Sequence, residues 1–218
     1  MNVVQAFWSS SVGKKAVMAV TGVIMIGFVV GHLLGNLLVF RGRSETNEYA
    51  EFLRSTGSLL WLARAVLLVS VVLHVIAAVQ LTRRQQAARP TGYARRDPQV
   101  STFAARTIRW GGVIILAFVV YHLLHLTFGT AHPRFVPADV YGNVVTGFSV
   151  WWVAAIYLVA MAALGLHLYH GTWSSFRSLG LTRPTRHPFR RRAVAVLAVA
   201  LWLGFSLIPV AVLAGVVR

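Results

Sequence analysis

The chain has 218 residues, 57% of them hydrophobic, a mean hydropathy of +0.67 and only 12% charged residues, with 21 Lys and Arg against 5 Asp and Glu. A water-soluble domain carries about twice that charged fraction, which excludes an ordinary soluble globular protein, and the basic residues fall in short stretches between apolar runs instead of on one folded face, which argues against nucleic-acid binding. Cysteine is absent, so disulfides, thiolate metal sites, iron–sulfur ligation and Cys nucleophiles are all removed, leaving histidine or carboxylate for any metal chemistry. From the amino end, Lys14 and Lys15 lead into Ala16 to Phe40, the first run long enough to cross a hydrocarbon core of about 30 Å. It is about twice as long as the apolar part of a signal peptide and reads as a retained helix. A connection bearing Glu45, Glu48 and Glu51 follows, then a second run, Leu59 to Thr82, with Arg64 a turn or so inside it. A basic connection leads to Ile108 to Phe128, the fourth run is Ser149 to Thr172, and the fifth, Ala193 to Val217, contains Pro209. None contains Asp, Glu or Lys. Lipid offers no partner to an unpaired backbone group, so each run is expected to be helical. The predicted fold is an all-α membrane protein of five transmembrane helices in one domain over residues 1–218, with the first four forming a bundle and the fifth peripheral.

The basic residues set the orientation. Lys14 and Lys15, then Arg83, Arg84, Arg89, Arg95, Arg96, Arg106 and Arg109, then Arg177, Arg183, Arg186, Arg190, Arg191 and Arg192 all fall on one side. The other side has Arg41, Arg43, Arg54, Arg134 and Arg218, nearly cancelled by Glu45, Glu48, Glu51 and Asp139. The amino terminus is therefore expected in the cytoplasm and the carboxyl terminus outside. Trp61, Trp110, Trp151, Trp152 and Trp173 sit at predicted helix ends, where interfacial tryptophan belongs.

Six of the eight histidines lie inside the runs: His32, His74, His122, His125, His167 and His170. An ionisable residue at membrane depth is costly to bury and marks a candidate site. From the helical rise, His32 and His122 lie roughly 12 and 9 Å below the outer surface, and His74 and His167 roughly 12 and 9 Å from the inner one. His125 and His170, only about 4 Å from their surfaces, match less well but stay open as alternatives. Two pairs, one per leaflet and each joining two helices, are what two bis-histidine haems in a four-helix bundle require. Zinc would call for three or four ligands at one point. Gly27, Gly31 and Gly35 beside His32 form a smooth strip that suits either a porphyrin edge or close helix packing, and Gly111, Gly112, Gly165 and Gly171 carry the same ambiguity.

With its histidines so placed, the chain resembles the single-subunit, five-helix, di-haem cytochrome b membrane anchor of succinate dehydrogenases and fumarate reductases. The resemblance covers essentially the whole chain. It is most specific in Ser11-Val12-Gly13-Lys14-Lys15, ahead of His32, and in the stretch from His167 through His170, Gly171 and Trp173 to Phe176. It implies two haem b groups, an outer iron held by His32 and His122 (alternatively His125) and an inner iron held by His74 and His167 (alternatively His170). It also implies a flavoprotein subunit with covalent FAD and an iron–sulfur subunit with its clusters, both docked on the cytoplasmic face of the inner (cytoplasmic) membrane. Dicarboxylate chemistry would belong to those partners, and this chain would pass electrons between them and a quinone, typically menaquinone, near the outer haem. Glu48 or Glu51 is then the available proton donor for the quinone, unless both are solvated loop residues. His170 and Arg177 suit inner-haem propionates, and Arg64 suits an outer one or snorkels to the interface. The inner arginine cluster suits a docked partner, anionic lipid or the orientation bias alone. Two other readings stay open: a di-haem subunit of a formate dehydrogenase or hydrogenase, and a haem-free transporter or anchor.

Overall fold

A computed structural model describes residues 2–88, 103–181 and 188–218. Arg89, Arg95, Arg96, Arg183 and Arg186 of the basic face lie outside the described residues. Every regular element among the described residues is helical. Helix α1, Val3–Ser9, opens on a capping box in which Asn2 accepts from the Gln5 N–H and the Gln5 side chain accepts from the Asn2 N–H. Ser10 then caps α2, Ser11–Asn36, through the Gly13 N–H at 2.8 Å. A 3₁₀ turn, Leu37–Arg41, ends at Gly42, whose φ of +107° turns the chain into α3, Arg43–Ser55. Next come α4, Ser58–Ala87, and α5, Phe103–His122, the latter continued by a π-helical turn, Leu123–Thr127. Three further helices follow: α6, Val140–Phe148; α7, Trp151–Ser178; and α8, Pro188–Leu213.

Among the described residues, five stretches are long and apolar enough to cross a membrane: Ser11–Arg41, Ser58–Ala87, Phe103–Thr127, Trp151–Ser178 and Phe189–Leu213. Their number agrees with the sequence, but their ends do not follow the apolar boundaries. Arg83, Arg84, Gln85 and Gln86 extend α4, and Arg177 extends α7, because long straight side chains are good helix formers whose stems lie along apolar surface. Outward faces carry Leu62, Leu68, Val159 and Leu203, all more than half exposed. Such continuous apolar surface is stable against lipid and not against water.

Helix α7 is the hub. It packs against α2, α5 and α8, while α4 rests chiefly on α2. Its buried stripe of Val153, Ala154, Tyr157, Ala160 and Met161 follows helical periodicity, and Ser70, Ala77 and Leu81 make the corresponding seam on α4. Helix α8 lies along α7 and α2, where Ala198 and Leu201 are buried with Leu33 and Leu168. Gly165 belongs to this packing, since a Cβ there would sit 3.1 Å from Trp202 Cβ. At one end of the molecule Arg84 donates to the Ser9 carbonyl and Arg109 to Gln85. At the other, Arg43 pairs with Asp139, and the Tyr141 hydroxyl donates to the Arg218 carbonyl. These contacts gather the same two sets of connections that the charge count separates.

Candidate functional site

Helices α2 and α5 bring His32 and His122 together, with ring centroids 5.9 Å apart and planes at 85°. Helices α4 and α7 bring His74 and His167 together at 6.3 Å and 56°. Both pairs are those that the depth arithmetic selects. Their separation can be read along two helices: Thr21, which touches His74, precedes His32 by 11 residues on α2, or about 16 Å, and Tyr157, which touches His122, precedes His167 by ten on α7, or about 15 Å. The two estimates agree, so the pairs occupy two levels.

The His32–His122 pair has an aromatic collar. Phe28 stacks on His32 at 5.2 Å one turn earlier, Phe205 of α8 approaches His32 to 5.9 Å, and Phe118 lies 5.8 Å from His122. A cavity of about 120 Å³ beside it is lined by His32, Asn36, His122, Thr127 and Asn143 among others. Gly22 and Gly112 flank the His74–His167 pair: a Cβ at Gly22 would lie in ordinary contact with His74 Cε1, at 3.7 Å, and one at Gly112 with His167 Cε1, at 3.9 Å. An open, almost wholly apolar groove of about 540 Å³ runs between α2 and α4 past Thr21 and Leu73.

His125 is placed differently. It is fully buried, its Nδ1 lies 3.0 Å from the Tyr157 hydroxyl, and its ring stacks on Tyr121 at 5.5 Å and on His132 at 4.9 Å. The π turn, closed by the Phe128 N–H on the Leu123 carbonyl at 2.8 Å, carries it beneath Gly147 of α6, where a Cβ would come within 2.7 Å of His125 Cε1. His170 is half-buried one turn beyond His167, and it is His167 whose ring meets His74. Arg64 is exposed, with its guanidinium 4.8 Å from the Trp61 ring centre, and Arg177 is exposed at the C-terminal end of α7. Glu48 and Glu51 are exposed on α3 and do not line the outer cavity, and Glu48 accepts from Ser44 at 2.6 Å.

Several contributors were not singled out from the sequence. Tyr157 is the common neighbour of His122 and His125, Thr21 touches His74, and Phe205 comes from α8, the one described membrane-length helix without a histidine. His132 and Asn143 are buried together beside His125, with His132 Nε2 2.9 Å from the Asn143 carbonyl. Only Thr21 left a signal. Eleven residues are three helical turns and some 20°, so a hydroxyl on the same face of α2 as His32 was there to be noticed.

The chemistry of the donor set can be tested against a haem. Two imidazoles gripping one metal ion from opposite sides through bonds of about 2 Å put their ring centroids roughly 6 Å apart, which both pairs meet. Among the described residues no three His, Cys, Asp or Glu converge on a point, as a zinc site would need. A Cβ at Gly27, Gly31 or Gly171 would meet nothing within 4 Å among the described residues, so α2 has open space at Gly27 and Gly31 beside His32 and α7 at Gly171, whereas Gly35 is covered by Tyr49. His167 Nδ1 is buried without a hydrogen-bond partner among the described residues. Residues and spacing fit the group. Comparison of the chain with protein-family models, with curated proteins and with solved structures finds no match.

Proposed function

We propose that this chain is the membrane-anchor cytochrome b subunit of a succinate dehydrogenase or fumarate reductase, linking an iron–sulfur subunit to membrane quinone. One observation carries the reading: two imidazole pairs, each bridging different membrane-length helices, with ring centroids 5.9 and 6.3 Å apart and about 15 Å between levels. In this reading α2, α4, α5 and α7 form the haem-binding bundle, the amino terminus faces the cytoplasm, and the protein resides in the inner membrane. His32 and His122 hold the outer haem b, and His74 and His167 the inner one. When bound, a bis-imidazole haem supplies one-electron transfer with no open coordination position.

The chain's own residues do the rest. Phe28, Phe118 and Phe205 keep water from the outer imidazoles. Asn36, Thr127 and Asn143 give the outer cavity the polar groups that orient a quinone headgroup such as that of menaquinone, and the exposed Glu48 and Glu51 of α3 supply protons on that face. Arg177 and His170 serve the inner haem's propionates, and Arg64 serves an outer one. A flavoprotein with covalent FAD and an iron–sulfur subunit dock on the basic face, and succinate or fumarate reacts there. Detergent extraction of the intact complex, followed by pyridine haemochrome and covalent-flavin assays, tests this. Two b haems per chain with a co-purifying flavoprotein are expected. A colourless complex overturns the reading, and haem without covalent flavin transfers the chain to a formate dehydrogenase or hydrogenase.

A further inference from the structure

We infer that Thr21 is a positioning residue for the inner haem, because its hydroxyl holds His74 in the one neutral tautomer that presents Nε2 to a metal. The inference rests on the haem reading above. A threonine hydroxyl has one proton and two lone pairs. Thr21 lies inside α2 and its Oγ1 reaches the Val17 carbonyl, four residues back, at 2.7 Å, and the Met18 carbonyl at 3.2 Å. Carbonyl oxygens only accept, so the single Thr21 proton is committed to the helix backbone. Toward any other partner Oγ1 can only accept. Its other partner is His74 Nδ1, 3.1 Å away across the α2–α4 seam. The proton of that bond must therefore sit on Nδ1, which leaves the lone pair of the neutral ring on Nε2, the nitrogen free to meet a metal.

The inner pair is asymmetric in this respect. His74 has a hydroxyl behind it, while His167 Nδ1 is buried with no partner among the described residues. The outer pair is built otherwise: the Tyr157 hydroxyl stands between His122 Nδ1 at 3.3 Å and His125 Nδ1 at 3.0 Å, and its one proton serves only one of them. Of these hydroxyls, Thr21's alone has its direction fixed by the chain itself. An N–H donated from a ligand imidazole makes the ring more basic and stabilises the oxidised metal, and loss of such an outer contact typically costs 10–100-fold in metal affinity. Thr21 thus tunes one haem of the two. Helix α2 contributes both the outer ligand His32 and, three turns earlier, this inner hydroxyl.

The test is a potentiometric titration of the b-haem absorbance, with electron paramagnetic resonance of the oxidised haems, on the intact complex. In Thr21→Val, equal in volume but without the hydroxyl, one component is expected to move to a more positive potential with a changed resonance, and its haem to bind about 10-fold more weakly or worse. The other component stays put. Thr21→Ser, which keeps the hydroxyl, returns the wild-type values. Should the valine variant not accumulate, Thr21→Ala carries the same expectation. Both potentials unchanged at full haem occupancy in the valine or alanine variant overturns the inference and leaves the haem reading intact. A wild-type complex without haem overturns both.

Discussion

His122 and His125 stand three residues apart on one stretch of helix, and spacing alone gives each a claim on His32. The turn between α5 and the loop after it sends the two side chains to different places, and only the His122 ring meets that of His32. In the π turn Leu123–Thr127 the backbone widens, and His125 ends fully buried between Tyr121, His132 and Tyr157. Depth favours His122 already in the sequence, but nothing in the residues 123–127 announces a π turn, so the burial of His125 was not legible there. The pairing predicts different losses. His122→Ala should remove one of two b haems in a haemochrome assay, whereas His125→Ala should retain both and instead lower thermal stability, by about 1–3 kcal/mol, as a buried, hydrogen-bonded side chain is lost. If His125→Ala also costs a haem, the assignment of the outer ligands is wrong. The glycines give a second case. The sequence could not tell a porphyrin-facing strip from helix packing, and the structure divides it: Gly35 is packed against Tyr49, while Gly27 and Gly31 face no chain atom within 4 Å. Gly31→Leu should therefore fold and reach the membrane but bind the outer haem weakly, with occupancy falling toward one per chain. Unchanged occupancy would mean that the strip faces lipid alone.

Whole helices were legible in proportion to how apolar they are. The five membrane-length elements follow from run length, because lipid forces any such run to be helical. The short helices α1, α3 and α6 did not, since none is a long apolar run and tertiary contacts fix them. Helix α6 shows how. Asp139 caps it by accepting from the Gly142 N–H at 3.0 Å, and also takes the Asn47 side-chain N–H at 3.0 Å and the Arg43 guanidinium, both from α3. Burial pushes the Asp139 carboxyl up, but the bonds from Asn47 and Gly142 and the Arg43 charge outweigh it and hold the group below its ordinary value of 3.8. The ionised form is the one bound, so its contribution is complete above pH 3.8 and is lost as pH falls through the lower value of the folded chain. Asp139→Ala should destabilise the α3–α6 contact by about 0.5–2 kcal/mol at neutral pH, read as faster proteolysis of the outer connections. That difference from wild type should shrink in strong acid, and a constant difference would show that the carboxylate charge is not what holds the two helices together.

At the scale of the molecule, helix count and the grouping of connections onto two ends are both legible, the first from hydropathy and the second from alternation of direction. What composition cannot give is which helices touch, because a lipid-facing side chain and a buried one are both apolar here. Helix α7 as hub, and Phe205 of α8 against His32, emerge only from packing. The absolute orientation rests on charge alone. Lys14, Arg83, Arg84, Arg109 and Arg190 to Arg192 collect at one end, and Glu45, Glu48, Glu51 and Asp139 at the other. A chain without cysteine allows this to be tested directly, since any single introduced thiol reports its own side. Gln86→Cys and Arg134→Cys place it at exposed positions at opposite ends. In intact cells or spheroplasts, a membrane-impermeant maleimide should label Cys at 134 at once and Cys at 86 only after lysis, in keeping with the basic end inside. The reverse pattern would put the basic face outside, where an iron–sulfur partner fed from cytoplasmic dicarboxylates could not reach it, and the proposed function would fall with the orientation.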